Sequence, residues 1–234
     1  MKNIYFLILG FILSSTLSAQ KINDPNAELR QAKNFHGINL SSAFDVYLSQ
    51  DKEEAVAVSA ASIKDRAMIK VEVRDGILYI GLEKGYKWNG GNKKLKAYIS
   101  FNQIDKLTVS GACDVFVSGT LKADILTINQ SGASDFNGNL DVNKLTVDLS
   151  GASDMKVSGK SSQLSVEASG ASSFKGYELS VEICDLRASG ASDLKITVNK
   201  EISAHASGAS DIRYRGSADI KELKSSGASS VTKG

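Results

Sequence analysis

The chain has 234 residues, with 28 lysines and arginines against 26 aspartates and glutamates, and a net charge of +2. The positive charges are scattered among carboxylates, which excludes the basic patch that is typical of nucleic-acid-binding proteins. The length is sufficient for one or two domains.

Residues 1–19 have the pattern of a secretory signal peptide. Lys2 precedes an apolar run over residues 4–13, and small residues follow as far as Ala19. The run is shorter than the roughly 20 residues that a membrane-spanning helix needs. We expect cleavage after Ala19, with an uncleaved anchor as the alternative. The mature protein should then have no transmembrane segment and should be exported, to the periplasm or to the cell surface and medium.

Residues 20–33 are polar and are predicted to be a flexible leader into a single domain over residues 34–234. The first rung, residues 34–49, is a degenerate copy of the repeat described below. Residues 50–104 are an insertion of strand-like segments, in which Asp75-Gly76 is typical of a tight β-hairpin turn.

The most regular feature is the pentapeptide Ser-Gly-Ala-Ser-Asp in the repeat array, residues 105–234. It begins at Ser131, Ser150, Ser189 and Ser207, and with one substitution at Ser110, Ser169 and Ser226. Consecutive copies lie 18–21 residues apart, a period that is typical of solenoid proteins.

Apolar and polar residues alternate on both sides of each pentapeptide, as at Leu145, Val147 and Leu149 before it and Met155 and Val157 after it. This period of two predicts short strands with one buried face. One rung cannot bury that face alone, whereas stacked rungs can. We therefore predict an all-β fold, a right-handed parallel β-helix, whose handedness follows from the preference for right-handed crossovers. An antiparallel sandwich is disfavoured because hairpin signals occur only in the insertion.

The two cysteines, Cys113 and Cys184, lie several rungs apart in this arrangement. Strands stack about 4.8 Å apart, whereas a disulfide needs Cα atoms within about 7 Å. We predict two free thiols.

The aspartate that closes the pentapeptide should form a structural ladder, because each residue of a stacked rung lies above its own copy. Its members are Asp114, Asp135, Asp154, Asp193 and Asp211, with Asp45 in the first rung. Carboxylates about 4.8 Å apart repel by roughly 1 kcal/mol in water. Backbone N–H and serine hydroxyl donors are expected to offset this repulsion, with bound calcium as the alternative. The calcium-binding glycine-rich nonapeptide is absent, so we predict no metal and no cofactor. The glycine should permit the bend, and the alanine should keep its inner corner small.

No set of residues indicates catalysis. The carboxylates recur with the rung period, which is typical of architecture rather than of an active site. His36 is expected to be a core or cap residue and His205 to point outward, and no serine lies in a Gly-x-Ser-x-Gly motif. Cys113 replaces a ladder serine and is the remaining candidate nucleophile. We predict that the protein is not an enzyme.

Together, the signal peptide, the Gly37-Ile38-Asn39 triplet before residues 43–46, the inserted strands and the pentapeptide rungs resemble the putative auto-transporter adhesin, head GIN domain family. The resemblance covers about residues 34–234. It implies an exported β-helical protein of the kind found in Bacteroidetes-type bacteria, and it carries no catalytic or binding residues with it.

The sequence favours a binding or adhesion module whose repetitive faces contact glycans or envelope components. Tyr86, Lys87 and Trp88 stand in a loop flanked by lysines and are the candidate ligand contacts. The alternative is a structural, periplasmic envelope protein that self-associates through the solenoid ends, where strand edges are unpaired. Light scattering separates the two, because a strict monomer at high concentration counts against self-association.

Overall fold

The computed structural model describes residues 24–86 and 94–234. The predicted signal peptide, Lys87 and Trp88 lie outside the described residues. Strands make up 65% of the described residues and helix 2%, in a β-solenoid of about seven turns with a mixed sheet. The elements are β1 (Glu28–Arg30), β2 (Gly37–Leu40), β3 (Asp45–Gln50), β4 (Ala55–Ser59), α1 (Ile63–Ala67), β5 (Ile69–Arg74), β6 (Ile77–Leu82), β7 (Lys96–Phe101), β8 (Lys106–Val109), β9 (Asp114–Gln130), β10 (Asp135–Leu149), β11 (Asp154–Ala168), β12 (Ser173–Ala188), β13 (Asp193–Ala206), β14 (Asp211–Arg215), β15 (Asp219–Ser225) and β16 (Ser230–Lys233).

The predicted parallel β-helix is confirmed by the pairing of the long strands. Each of β9 to β13 runs from one pentapeptide to the next and pairs in parallel with its neighbours in the rungs before and after. Phe136, for example, is aligned with Val115 on one side and with Met155 on the other. Successive rungs therefore superimpose equivalent positions of the repeat, with small register shifts at bulges.

The core consists of columns of inward side chains that follow this register. One column is fully buried over six rungs and contains Val115, Phe136, Met155, Phe174, Leu194 and Ile212. Burying one side chain of this size stabilises a fold by about 1.5–3 kcal/mol. The hydrophobic effect thus selects the register, because a slip by one residue would turn every column outward.

The insertion extends both sides of the first rung. Strand β6 pairs in parallel with β2, and β5 pairs antiparallel with β6 through the turn at Asp75 and Gly76, where both residues have positive φ. On the other side, β7 pairs in parallel with β3, and β4 pairs antiparallel with β7. The insertion is therefore where the sheet becomes mixed. The one helix in the described residues, α1, is too short to cross a membrane.

At the start of the domain, the structure contradicts the expected flexible leader and the core alternative for His36. The segment predicted to be a flexible leader contains β1, which pairs with β4, and Ala32 is buried. The sequence signal is weak because three residues are too few to show a period, and the strand is fixed by its partner. His36 is not a core residue, since 58% of its side chain is exposed and its Nδ1 lies 3.0 Å from a carboxylate oxygen of Asp105.

Candidate functional site: the ladder face

The bend of each pentapeptide is set by its glycine. Gly151 has φ of +74°, and the N–H of Ala152 donates to the carbonyl of Gly132 in the preceding rung at 2.7 Å. A Cβ on Gly151 would lie 2.5 Å from that same carbonyl oxygen. Only glycine satisfies both the backbone angle and the close approach, so the glycines stack directly and hold every following strand in the same orientation.

The buried position of the bend is the second serine, and not the alanine as expected. Ser153 is fully buried, whereas Ala152 is exposed. The Ser153 hydroxyl donates to the carbonyl of Ser150 at 2.7 Å, which closes the bend. Alanine has no group to satisfy that carbonyl, and this is the physical reason for serine at the inner position.

Cys113 occupies the inner serine position of its rung. Its thiol contacts the carbonyl of Ser110 at 3.5 Å. Burial raises the pKa of Cys113, and the carboxylates of Asp114 and Asp45 raise it further, against one hydrogen bond from the backbone that lowers it. A buried thiol with a raised pKa is a poor nucleophile. Cys184, which lies in a different core column, is buried and also has a raised pKa.

One outward face of the solenoid is formed by β3, by the first part of each strand from β9 to β13, and by β14. We call it the ladder face, and β7 extends it beyond β3. Its first column is aligned by the register and contains Asp45, Asp114, Asp135, Asp154, Ser173, Asp193, Asp211 and Ser230. We call this the aspartate column. All five aspartates named from the sequence as ladder residues stand in it.

A second column runs beside it, two residues further along each strand. Its members are Tyr98, Tyr47, Phe116, Asn137, Lys156, Lys175, Lys195, Arg213 and Thr232. We call this the aromatic–basic column. Sequence reasoning missed it, although the spacing Asp-x-Lys or Asp-x-Arg at residues 154, 193 and 211 was a readable signal.

The basic half of this column neutralises the aspartates beside it. Lys175 lies 2.9 Å from Asp154, and Lys195 lies 2.9 Å from Asp193. Arg213 contacts the carboxylates of two rungs, Asp193 at 3.1 Å and Asp211 at 3.2 Å. Lysine and arginine side chains, which sequence reasoning did not name for this role, therefore offset the repulsion between these carboxylates.

The aromatic half has a different character. The rings of Tyr98 and Tyr47 stack with centroids 5.2 Å apart, and Tyr47 stacks on Phe116 at 5.7 Å. Phe116 ends the stack and is 41% exposed. An aromatic side chain this exposed on a regular strand is suited to contact a partner.

The aspartates beside the aromatic half have no ion-pair partner in the part of the chain that the structure describes. These are Asp45, Asp114 and Asp135. Burial raises the pKa of Asp114 above its usual value, and the carboxylates of Asp135 and Asp45 raise it further. This half of the ladder face therefore presents acceptors that no side chain of residues 24–86 or 94–234 neutralises.

Two cavities lie on the ladder face. The first, of about 230 Å³, is lined by Phe116 and by carboxylates of the aspartate column. The second, of about 450 Å³, is bordered by Tyr177 and by three lysines. They share Asn137, Lys156 and Lys175, which stand in the aromatic–basic column. The two cavities therefore adjoin across this column, one on the side of the aspartate column and one on the side of Tyr177, and we call them together the trough.

The other candidates from the sequence lie elsewhere. The Tyr86 hydroxyl donates to a carboxylate oxygen of Asp65 at 2.8 Å, beside α1 and away from the ladder face. His205 points outward as expected, and its Nε2 lies 2.8 Å from Glu222. Both histidines thus pair with surface carboxylates, an arrangement that links neighbouring strands.

Comparison with solved structures supports the fold assignment. The chain is similar to the crystal structure of a putative adhesin from Bacteroides fragilis, with a TM-score of 0.83 and 23% identity over 88% of this chain and 95% of that chain. It is similar to a putative adhesin from Parabacteroides distasonis, with a TM-score of 0.67 and 18% identity over 88% and 95% of the two chains. A structure from the same species described as a putative lipid binding protein gives a TM-score of 0.67 and 18% identity over 90% and 97%.

At these identities the similarity establishes a shared fold. No functionally curated protein matches this chain in sequence. The family model described as "Putative auto-transporter adhesin, head GIN domain" matches residues 34–218, which is most of the chain. The chain therefore belongs to the head GIN domain family, as the pentapeptide rungs indicated.

Proposed function

We propose that this protein is an exported, non-enzymatic adhesion module that binds a glycan or another extended component of a cell envelope through the ladder face. The observation that carries the proposal is the contrast within one face. In its basic half, Lys175, Lys195 and Arg213 are paired with aspartates, whereas its aromatic half leaves Phe116 exposed beside carboxylates without a cation among the described residues. Functional side chains without internal partners are available to a ligand.

The regular spacing of the face supports an extended ligand. Equivalent side chains recur at each rung, about 4.8 Å apart, so a polymer with repeated units meets similar groups along its length. The family to which the chain belongs is described as adhesins, which agrees with a binding rather than a catalytic role.

The test is retention of protein-coated beads under flow. Beads carrying the mature chain are passed over intact cells and over surfaces coated with purified envelope polysaccharides. We expect retention on at least one surface, with most of it lost for Phe116→Ala combined with Asp135→Ala. The matched control is Ile183→Ala, which removes a side chain of similar exposure (42%) from the second part of β12, outside the ladder face. Equal retention of both variants would contradict the proposal.

The loop that contains Tyr86, Lys87 and Trp88 is kept as a second proposed contact. Trp88→Ala in the same assay separates it from the ladder face, because a loss of retention with Trp88→Ala alone would move the site to the loop. Protease treatment of intact cells tests the compartment. Cleavage on whole cells places the protein on the surface, and cleavage only after the outer membrane is opened places it in the periplasm.

A further inference from the structure

We infer that the trough on the ladder face is an oligosaccharide-binding site that takes an uncharged glycan chain, which extends from Phe116 to Tyr177 across three rung-to-rung steps. The inference rests on the proposed function and names the site and the ligand class for it. Four features of the trough carry it: its aromatic ends, its hydrogen-bonding floor, its balance of charge and its length.

The aromatic ends suit the apolar faces of sugar rings. Phe116 is the last ring of the stack that begins at Tyr98, so its second face is not covered by another ring of the stack. In the register, the next position along the column is Asn137, whose side chain is short and polar. At the far end, the guanidinium of Arg215 lies 4.0 Å from the centre of the Tyr177 ring and fixes that ring in place. C–H groups of a pyranose ring pack against the electron-rich face of an aromatic ring.

The floor between the two rings offers both acceptors and donors. Asp114 and Asp135 line the first cavity as acceptors that have no cation of their own. Asn137 supplies an acceptor and two donors, and it borders both cavities. Lys156 also borders both and has no ion pair among the described residues, so its three N–H donors are available. A hydroxyl group donates and accepts, and it can therefore use every one of these groups.

The charge of the trough argues against a strongly charged polymer. A polyanion would bring its charges against Asp114 and Asp135 at one end and against Glu178 at the other. A polycation would bring its charges against Lys156, the trough lysine that has no ion pair among the described residues. A polymer of hydroxyl and amide groups meets neither penalty, because it forms hydrogen bonds with groups of both signs.

The dimensions fit a short chain rather than a single sugar. From the rung of Phe116 to the rung of Tyr177 there are three steps, or roughly 14 Å at about 4.8 Å per step. The larger cavity, of about 450 Å³, falls within the range of about 300–1,000 Å³ that is typical of small-molecule sites.

The test is calorimetric titration of the full mature chain with hexasaccharides of defined charge. The uncharged probes are maltohexaose, cellohexaose and the N-acetylglucosamine hexamer; the charged probes are hexagalacturonate and the fully deacetylated glucosamine hexamer. We expect at least one uncharged probe to bind. We expect Phe116→Ala to weaken that binding at least tenfold and Asp135→Ala to weaken it several-fold. Ile183→Ala, the control outside the ladder face, should change it less than twofold.

Three results would overturn the inference: no uncharged probe binds, a charged probe binds more tightly than all uncharged probes, or Phe116→Ala binds as tightly as the parent chain. Melting temperatures of the variants establish that each is folded before it is titrated. The bead assay separates this failure from failure of the proposed function. If bead retention depends on the ladder face but no uncharged hexasaccharide binds, the proposed ligand class is wrong and the proposed adhesion function stands. If a hexasaccharide binds in a manner that depends on Phe116 but the beads are retained on no surface, the proposed site stands and the proposed adhesion function is wrong.

Discussion

Lys175 donates to Asp154 across one rung, with its Nζ 2.9 Å from Oδ2. The rung that contains Lys175 has Ser173 at the ladder position, where the rungs on either side have Asp154 and Asp193. Lys175 therefore has no ladder carboxylate in its own rung and pairs with the one before it. Charges on the ladder face are thus matched between rungs as well as within them.

Arg213→Gln should lower stability modestly, because this guanidinium contacts the carboxylates of both Asp193 and Asp211. Exposed ion pairs contribute roughly 0.2–1 kcal/mol each, so we expect a loss of about 1 kcal/mol in the free energy of unfolding, measured by urea denaturation. The loss should shrink in about 1 M salt, where screening is strong. Lys144→Gln, an exposed position outside the ladder face, is the control; an equal loss there would contradict a specific role for Arg213.

Asp114→Asn should stabilise the protein at neutral pH. Burial and the neighbouring carboxylates raise the pKa of Asp114 in the folded state, so folding favours its protonated form. The stabilisation by protonated Asp114 is fully present below about pH 3.9, the pKa of its carboxyl group in the unfolded chain. It is lost as the pH rises through the higher pKa of the folded state. After allowance for solvent screening, we expect a gain of a few tenths of a kcal/mol at about pH 7.

The gain from Asp114→Asn should disappear near pH 3, where the carboxyl group is protonated in both states. The comparison variant is Asp154→Asn, which loses the contact with Lys175 and should be destabilised at about pH 7. Thermal unfolding at both pH values measures the two effects. If both variants changed stability in the same direction at neutral pH, the contrast between the two halves of the ladder face would be wrong.

Gly151→Ala should be among the most damaging small substitutions in the chain. The new Cβ would meet the carbonyl oxygen of Gly132 at 2.5 Å, in addition to the cost of a positive φ. The backbone cost alone is about 1–2 kcal/mol, so we expect a loss of at least about 3 kcal/mol in the free energy of unfolding. Gly119→Ala is the matched control. Its φ is +75°, but no atom lies within 4 Å of the added Cβ, so it should show the backbone cost alone.

Cys113→Ser should leave the fold intact and stabilise it slightly. Serine would form the short hydrogen bond seen at Ser153, whose Oγ lies 2.7 Å from the Ser150 carbonyl oxygen, in place of the 3.5 Å thiol contact. We expect a gain of about 0.5–1 kcal/mol. The reverse case is Ser153→Ala, which removes the donor and should cost about 1–2 kcal/mol. Urea denaturation of both variants decides whether the inner position needs a donor.

In the native protein, neither thiol should react with a disulfide reagent at a pH near about 8.5, which is the ordinary pKa of a thiol. Burial raises the pKa of both Cys113 and Cys184, so the folded state disfavours the thiolate. By the same linkage, the buried thiols support folding below about pH 8.5, and this support is lost as the pH rises further. Rapid reaction of Cys113 in the folded chain, at a rate close to that in denaturant, would contradict its burial.

The rung architecture could be predicted from the sequence because the repeat determines both the buried face of each strand and the stacking of the rungs. The period of two around residues such as Leu145 and Val147 fixes the buried face, and the spacing of the pentapeptides fixes the stacking. The alignment of Asp154 with Asp135 then follows from the register alone. Such columns are predictable because each residue contacts its own copy.

The details of the bend and of the ladder face were not predictable in the same way. Ala152 and Ser153 are both small, so their size does not decide which of them is buried. Ser153 is the buried one because its hydroxyl can donate to the carbonyl of Ser150. The pairing of Lys175 with Asp154 depends on the length of a side chain and on the rung it reaches. Strand β1 depends on a partner about 30 residues away. In the last two cases the deciding contact joins positions at least 21 residues apart, which no local pattern relates.

The stacked glycine bends also make the protein extensible. Since each bend repeats the same hydrogen bond to the bend before it, as from Ala152 to Gly132 and from Ala171 to Gly151, the geometry of one rung does not depend on how many rungs precede it. Duplication of a single repeat would lengthen the ladder face by about 4.8 Å and leave every existing column in place. The number of repeats therefore sets the length of the ladder face without changing the geometry of each rung.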